Sequence, residues 1–281
     1  MGKKRNSLIV ILFFIGFAVM LYPLVSRTYY DYRGNEEVTA FQEGLDQISS
    51  AESQDQLREA QAYNNALLSG NMTPQEDPFS EEEKESGLAE YARFLEVREK
   101  LGVLTIPKID MKFPVYAGTS EPVLQRGVGH LEGTSLPIGG LNTNSILTAH
   151  RGLPENKLFT DLDQMELNDL FFVETAAGQL AYEVSEIKVI EPTEIEALRI
   201  EQDRDLITLL TCTPYMVNSH RLLVIGERTE LPVEEIGEAV SMSWWRPLWS
   251  IVRDYIWVLI IILVAVLYFI GQAYHSNKRR D

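Results

Sequence analysis

Residues 208–226 read TLLTCTPYMVNSHRLLVIG, and they predict two strands joined by a short polar loop. The first arm, 205–211, is rich in Leu, Ile and Thr, and the second is a run of branched residues that ends at Gly226. Proline, asparagine and serine between the arms are typical turn residues. If the arms pair antiparallel, Cys212 and Arg221 flank the same end of the hairpin. A cation beside a thiol favours the thiolate, which is the nucleophilic form.

Composition narrows the classes of protein that the chain can represent. It has 281 residues, a formal net charge of −16 and a single cysteine. One cysteine excludes an intramolecular disulfide framework, so the fold must rest on an apolar core. The acidic balance argues against nucleic acid, which requires a basic face. No metal-ligand spacing and no glycine-rich phosphate loop is present in the sequence, so we expect no cofactor and no metal.

Two apolar runs, 8–25 and 255–270, are each long enough to cross a bilayer as a helix. Basic clusters at 3–5 and 278–280 lie on their outer sides, and four tryptophans precede or begin the second run. This pattern predicts a transmembrane anchor at 1–28, a second transmembrane helix at 255–274 and a basic tail at 275–281. Both termini would be cytoplasmic. The alternative for the first run is a cleaved signal peptide, although no Ala-x-Ala site follows. The alternative for the second run is a buried core helix.

Between the two apolar runs, the amino-acid composition changes near residue 101. Residues 29–100 are polar and helix-prone, whereas 101–231 alternate short apolar runs with Gly and Pro. Many short strands separated by turn residues predict a closed, mainly β barrel with short helical insertions near 121–127 and 159–164. Residues 232–254 would link this domain to the second membrane helix. The stiff segment around Asp77, Pro78 and Phe79 could by itself be an ordinary linker.

Histidine is the natural acid or base partner of a cysteine nucleophile. His150 follows a predicted strand and precedes a glycine, whereas His130 lies in a loop or at a strand end. His220 adjoins Arg221 and should point to the opposite face of its strand. These positions leave both His150 and His130 as candidate acid/base partners of Cys212, with His150 modestly favoured. The alternative for Cys212 is a small buried hydrophobic side chain.

Several motifs together resemble one known family. The run TLLTC at 208–212 is similar to the TLxTC signature of sortases. The runs GVGHL to GTSLP at 127–137, LTAHRGLP at 147–154 and TPY to NSHRLLV at 213–224 resemble the class C, pilus-assembling branch of Gram-positive bacteria. The resemblance covers residues 75–231. Met216 stands where many relatives carry glycine.

The resemblance implies a role for each matched residue. Cys212 would be the nucleophile, His150 the acid/base and Arg221 the cation that steadies the substrate carbonyl and the oxyanion. Asp77, Pro78 and Phe79, within a segment at about 75–80, would form a lid over the site, and His130 would be structural. The implied fold is a sortase β-barrel.

The resemblance also implies a reaction. The enzyme would cleave an LPXTG-like sorting signal between Thr and Gly, form a thioester on Cys212 and pass the acyl group to a pilin lysine. The implied partners are pilin subunits and the membrane, with the catalytic domain outside the cell. Three alternatives are a housekeeping sortase that anchors proteins to peptidoglycan, a membrane-bound cysteine protease and a non-catalytic scaffold.

Overall fold

The computed structural model describes residues 2–68, 92, 95–97, 99–153 and 156–231. The chain divides into two compact units, Met1–Pro232 and Val233–Asp281, and the described residues all belong to the first. Several sequence predictions lie outside the described residues. They are the lid residues Asp77, Pro78 and Phe79, the linker at 232–254, the transmembrane helix at 255–274 and the tail at 275–281.

The described part of the chain contains two long helices followed by a β-rich domain. The helices are α1 (Gly2–Leu45) and α2 (Ser50–Leu68), and a short third helix, α3 (Glu121–Arg126), lies within the β-rich domain. The strands are β1 (Gly102–Ile106), β2 (Met111–Ala117), β3 (Val128–His130), β4 (Thr143–Thr148), β5 (Leu170–Thr175), β6 (Gly178–Ile190), β7 (Asp205–Thr213) and β8 (His220–Thr229). Short 3₁₀ helices span Pro107–Ile109, Leu158–Gln164 and Ile195–Leu198.

The strands close into a barrel in the order β1-β2-β3-β4-β7-β8-β6-β5, and β5 pairs with β1. The β2–β3 and β4–β7 pairs are parallel, and the other pairs are antiparallel. The predicted closed β-barrel with short helical insertions is therefore confirmed for the described residues. The longest of these strands, β6, has 13 residues and contains a register shift between Val184 and Glu186 in its pairing with β8.

Side chains that alternate along each strand build two apolar layers. The main cluster fills the barrel and includes Leu147, Leu209 and Val224. A second cluster uses the alternate positions of the same strands and therefore lies on the outer face of the barrel. Its buried members are Leu131, Ile146, Leu198, Leu206, Leu210, Leu223 and Ile225. The sheet formed by β4, β7 and β8 is thus apolar on both faces.

Gly226 does not end the second arm of the hairpin, as the sequence suggested, because β8 continues to Thr229. A Cβ atom at residue 226 would lie 2.3 Å from the ring of Phe171 and 3.0 Å from the Cβ of Tyr182. Glycine is required here by the close approach of the Phe171 ring across the barrel. The same ring stacks on Tyr182 with centroids 5.6 Å apart.

The N-terminal helices are attached to the barrel by buried contacts. Phe41 of α1 is fully buried and packs in a cluster with Val103 of β1. Lys100, whose side chain is 4% exposed, forms an ion pair of 2.6 Å with Glu37 of α1, and hydrogen bonding to Lys100 lowers the pKa of Glu37. Asn64 of α2 accepts a hydrogen bond of 2.8 Å from the Leu136 amide and donates one of 3.2 Å to the Leu136 carbonyl.

The transmembrane anchor predicted at residues 1–28 is not found. In the described residues no helix has the length together with the apolar character that a membrane crossing requires. Residues 8–25 are part of the 44-residue helix α1, which continues into polar sequence as far as Leu45.

Replacing Asn64 with Ala should destabilise the protein by about 1–3 kcal/mol, because a buried amide and a buried carbonyl of Leu136 lose their partner. Urea unfolding of the full-length protein would measure the change. Asn65→Ala is the matched control, since Asn65 is the exposed neighbour on the same helix. Equal stability of the two variants would contradict the docking role of Asn64.

Candidate active site

At its C-terminal end, β7 lies between two paired strands, β4 on one side and β8 on the other. In the antiparallel β7–β8 pair Cys212 lies opposite Arg221, as predicted for the hairpin. In the parallel β4–β7 pair Thr148 lies opposite Leu210, and beyond the strand Thr211 Oγ1 donates a 2.8 Å hydrogen bond to the Ala149 carbonyl. Continuing that register by two residues brings His150 to the level of Cys212.

Strand alternation puts all three side chains on the outer face of the barrel. Leu209 and Ala149 belong to the interior cluster, so Cys212 and His150, which are in the opposite phase, face outward. Arg221 is in phase with Leu223, a member of the outer cluster. The structure therefore gathers a thiol, an imidazole and a guanidinium at one end of the outer apolar cluster.

Cys212 and Arg221 are both nearly covered, with 8% and 7% of their surface exposed. The guanidinium Nη1 of Arg221 donates to the backbone carbonyls of Asn218 and His220, each at 3.1 Å. The β7–β8 loop thus holds the guanidinium beside the strand end that carries the sulfur. His220 occupies the opposite strand phase, and its Nδ1 lies 2.8 Å from the Ser219 hydroxyl.

His150 contacts a carboxylate that the sequence reasoning did not identify. Its Nε2 lies 3.2 Å from Oε2 of Glu121, the first residue of α3. The His150 side chain is 16% exposed and the Glu121 side chain 34%. The other carboxylate oxygen, Oε1, accepts a hydrogen bond of 2.9 Å from Gln125.

Arg151 ties the loop after β4 to the end of β7. Its Nη1 donates to the hydroxyl of Thr213 at 3.0 Å, its Nε donates to the Thr160 carbonyl at 3.1 Å, and its Nη2 forms an ion pair of 2.6 Å with Asp163. The side chain is only 6% exposed. Because Arg151 follows His150 and Thr213 follows Cys212, this contact fixes the two candidate residues relative to each other.

The same two loops also approach each other through Gly152 and Tyr215. Gly152 has a φ of +86°, and a Cβ there would lie 3.0 Å from the Tyr215 ring. Met216 adopts a φ of 64°, in the left-handed region that favours glycine. A glycine would adopt this φ without the steric cost that the Met216 side chain brings.

His130, the second histidine candidate, lies in the interior of the domain. It is fully buried, its Nε2 lies 2.8 Å from the Ser135 carbonyl, and burial lowers its pKa to about 4. A carbonyl can only accept, so Nε2 carries the proton and donates it. His130 is therefore a structural histidine that holds the β3–β4 loop.

A cavity of about 520 Å³ opens at the other end of β4, beside the outer apolar cluster. Its lining residues include Asn144 of β4, Leu67 of α2 and Leu198 of the 3₁₀ helix Ile195–Leu198. Asn144 holds the segment after β6 in place, because its Nδ2 donates to the carbonyls of Leu198 and Arg199. With a rise of about 3.3 Å per residue, the cavity lies roughly 20 Å along the strand from His150.

Comparison with known proteins agrees with this geometry. Residues 104–229 match the model of the sortase domain. The crystal structure of sortase C-1 from Streptococcus pneumoniae is 47% identical with a TM-score of 0.67, and the match covers 70% of this chain and 100% of that one. The chain belongs to the sortase family. The predicted resemblance is confirmed.

Other sortases match over different extents. A structure described as the pilus-related sortase C of Group B Streptococcus is 43% identical with a TM-score of 0.65, and the match covers 70% of this chain and 98% of that one. Sortase D of Bacillus subtilis is 26% identical over 136 residues, which are 47% of this chain and 66% of that protein. The chain thus aligns with slightly less than two thirds of that curated relative.

In this sortase, the described residues contain no group of three or more His, Cys, Asp or Glu side chains arranged to hold a metal ion. Glu121 and Arg151 are the contacts near His150 and Cys212 that sequence reasoning missed. The only sequence signal for Glu121 was an acidic residue at the start of a short helix. For Arg151 it was a basic residue adjacent to the candidate histidine.

The depressed pKa of His130 should make the protein acid-sensitive. The unfolded chain takes up a proton near pH 6.5 whereas the folded state stays neutral down to about pH 4, so stability falls as the pH falls through this window. The loss should be on the order of 3 kcal/mol relative to His130→Gln, whose amide can still donate to the Ser135 carbonyl but cannot titrate. Urea unfolding between pH 7 and pH 4 would measure it. If the unfolding free energies of the wild type and His130→Gln changed equally with pH, the result would contradict a depressed pKa for His130.

Proposed function

We propose that this sortase is a class C cysteine transpeptidase that polymerises pilin subunits. The observation that carries the proposal is the meeting of Cys212, His150 and Arg221 at one end of the outer face, which supplies a nucleophile, an acid/base and an oxyanion cation. The identity of 43–49% to solved class C structures, one of them described as pilus-related, supports the choice of class.

Acylation begins when the Cys212 thiolate attacks the Thr–Gly carbonyl of an LPXTG-like sorting signal. Arg221 stabilises the negative charge that develops on the carbonyl oxygen. As the C–N bond breaks, protonated His150 transfers its proton to the leaving glycine amine, and a thioester remains on the sulfur.

Transfer reverses the proton movement. The amine of a pilin lysine attacks the thioester carbonyl, gives a proton to the now neutral His150 and releases the Cys212 thiolate. The product is an isopeptide bond. Water competes with the amine for the thioester, and the low exposure of Cys212, 8%, helps aminolysis compete with hydrolysis.

We also propose that the enzyme works at the surface of a Gram-positive cell, with its barrel outside the membrane. Support comes from the bacterial relatives and from the apolar run at 255–270 with its flanking tryptophans and basic tail. This run lies outside the described residues, and a transmembrane helix there remains a prediction from the sequence.

Incubation of the full-length enzyme with a sorting peptide and two competing acceptors, a lysine-bearing pilin and a peptidoglycan amine, tests the function. Mass spectrometry should show an acyl adduct on Cys212 and a Thr–Lys isopeptide product. We expect Cys212→Ala to abolish both, Arg221→Ala to slow acylation by about 10²–10³-fold, and His150→Ala to slow it by about 10²–10⁴-fold. His220→Ala is the control, since His220 adjoins Arg221 in the opposite phase and should keep near wild-type activity.

Each competing function has a distinct result in this assay. Cleaved acid without an amide product would indicate a cysteine protease. Transfer to a peptidoglycan amine but not to pilin lysine would indicate a housekeeping sortase. Unchanged assembly by Cys212→Ala would indicate a scaffold and would overturn the proposal.

The lid hypothesis concerns Asp77, Pro78 and Phe79, which lie outside the described residues. The proposed lid pairs its acidic residue with Arg221 and lays its ring against the sulfur, so it limits access to Cys212. Asp77→Ala and Phe79→Ala should therefore increase the rate at which a maleimide labels Cys212. Glu76→Ala, which removes the adjacent carboxylate, is the matched control and should label at the wild-type rate. Unchanged labelling of the two lid variants would count against a lid.

A further inference from the structure

We propose that Glu121 is a positioning residue for His150. Its carboxylate fixes the orientation and tautomer of the imidazole, so that Nδ1 is the nitrogen that exchanges protons with the reacting groups. This inference rests on the proposed function and assigns a role to a residue outside the Cys212, His150 and Arg221 set.

Both oxygens of the Glu121 carboxylate make a defined contact. Oε2 lies 3.2 Å from Nε2 of His150, and Oε1 accepts a 2.9 Å hydrogen bond from Nε2 of Gln125, one helical turn along α3. The carboxylate is therefore held from behind by Gln125 while it faces the ring. Such a chain resembles the way in which carboxylates orient catalytic or metal-binding histidines in general.

The helix that carries Glu121 is firmly seated on the barrel. Val123 and Leu124 of α3 are buried, and Leu124 covers Gly129 of β3 so closely that a Cβ atom at residue 129 would lie 3.0 Å from Leu124 Cδ2. Ser120, which precedes Glu121, is 1% exposed. Because α3 is packed in this way, the Glu121 carboxylate can hold the His150 ring in one orientation at the end of β4. A more mobile attachment would allow the ring to rotate.

The contact assigns a proton to each ring nitrogen through the reaction. An ionised carboxylate only accepts, so Nε2 keeps its proton and donates it to Glu121 Oε2. Protonated His150 then carries its second proton on Nδ1 and gives it to the glycine amine as the C–N bond breaks. In the neutral ring left behind, Nδ1 is unprotonated, and its lone pair accepts the proton from the attacking lysine amine. Without Glu121, neutral His150 can adopt the tautomer that blocks Nδ1.

Single-turnover kinetics with the full-length enzyme and a sorting peptide test the role. Glu121→Ala should lower the single-turnover rate constants of acylation and of aminolysis by about 10–100-fold, while the steady-state KM for the sorting peptide stays unchanged. Glu121→Gln retains an oxygen that can accept from Nε2, so it should recover most of the lost rate. Gln125→Ala should show a smaller loss in the same direction.

The matched control is Glu166→Ala. Glu166 is also a glutamate in an ion pair, with Lys108 at 2.5 Å, but it lies between β5 and the 3₁₀ helix that precedes it and has no contact with His150 among those described. It should keep wild-type kcat and KM. Loss of rate in this variant equal to that in Glu121→Ala would mean that any removal of a surface ion pair slows the enzyme, and it would overturn the proposal.

A spectroscopic measurement separates positioning from general stability. In protein with ¹⁵N-labelled histidine, the His150 ring, assigned by comparison with His150→Asn, should show a protonated Nε2 and an unprotonated Nδ1 when neutral. Glu121→Ala should give averaged shifts from a mixture of the two tautomers, whereas Glu121→Gln should restore the wild-type pattern. An unchanged ring pattern with unchanged kcat in Glu121→Ala would overturn the inference.

The failure of this inference can be told apart from failure of the proposed function. If the function is wrong, the wild type itself forms no thioester and no isopeptide bond. If only the role of Glu121 is wrong, the wild type is active and Glu121→Ala matches it in rate and in ring tautomer.

Discussion

The site depends on the parallel pairing of β4 with β7. That pairing places Thr148 opposite Leu210 and, through the bond between Thr211 and the Ala149 carbonyl, carries the chain after β4 to the level of Cys212. The antiparallel β7–β8 pair brings Arg221 to the other side of the same strand end. A one-residue slip in either pair would turn a side chain to the opposite face of the sheet and separate the three groups.

The barrel is apolar on both faces of this sheet, which contains the parallel β4–β7 pair. The interior cluster stabilises the barrel, and the outer cluster around Leu210 and Leu223 packs with Leu131 and Leu198 on the other face of the sheet. The buried members of the outer cluster are at most 4% exposed, so the fold itself covers this face. The cavity beside Asn144 lies at one end of this layer and the three polar groups lie at the other.

Hydrogen bonds behind the site hold its parts in position. Arg151 connects the residue after His150 to the residue after Cys212, and Gln125 supports Glu121 behind the imidazole. Asn64 and Lys100 connect the N-terminal helices to the barrel through buried polar contacts. Such contacts have strict geometry, since a buried polar group that loses its partner is costly.

The sequence alone determined the hairpin, the strand content and the family, because turn residues, short apolar runs and the TLLTC motif are local signals. It also predicted that Cys212 meets Arg221, since the two arms are adjacent in the chain. The choice between His150 and His130 was left open by the residues themselves, and burial of His130 in the structure accounts for its structural role. Only the tertiary structure brought His150 to Cys212 and Glu121 to His150. Parallel strands and helix–loop contacts join residues that are far apart in the chain, and no local pattern records their register.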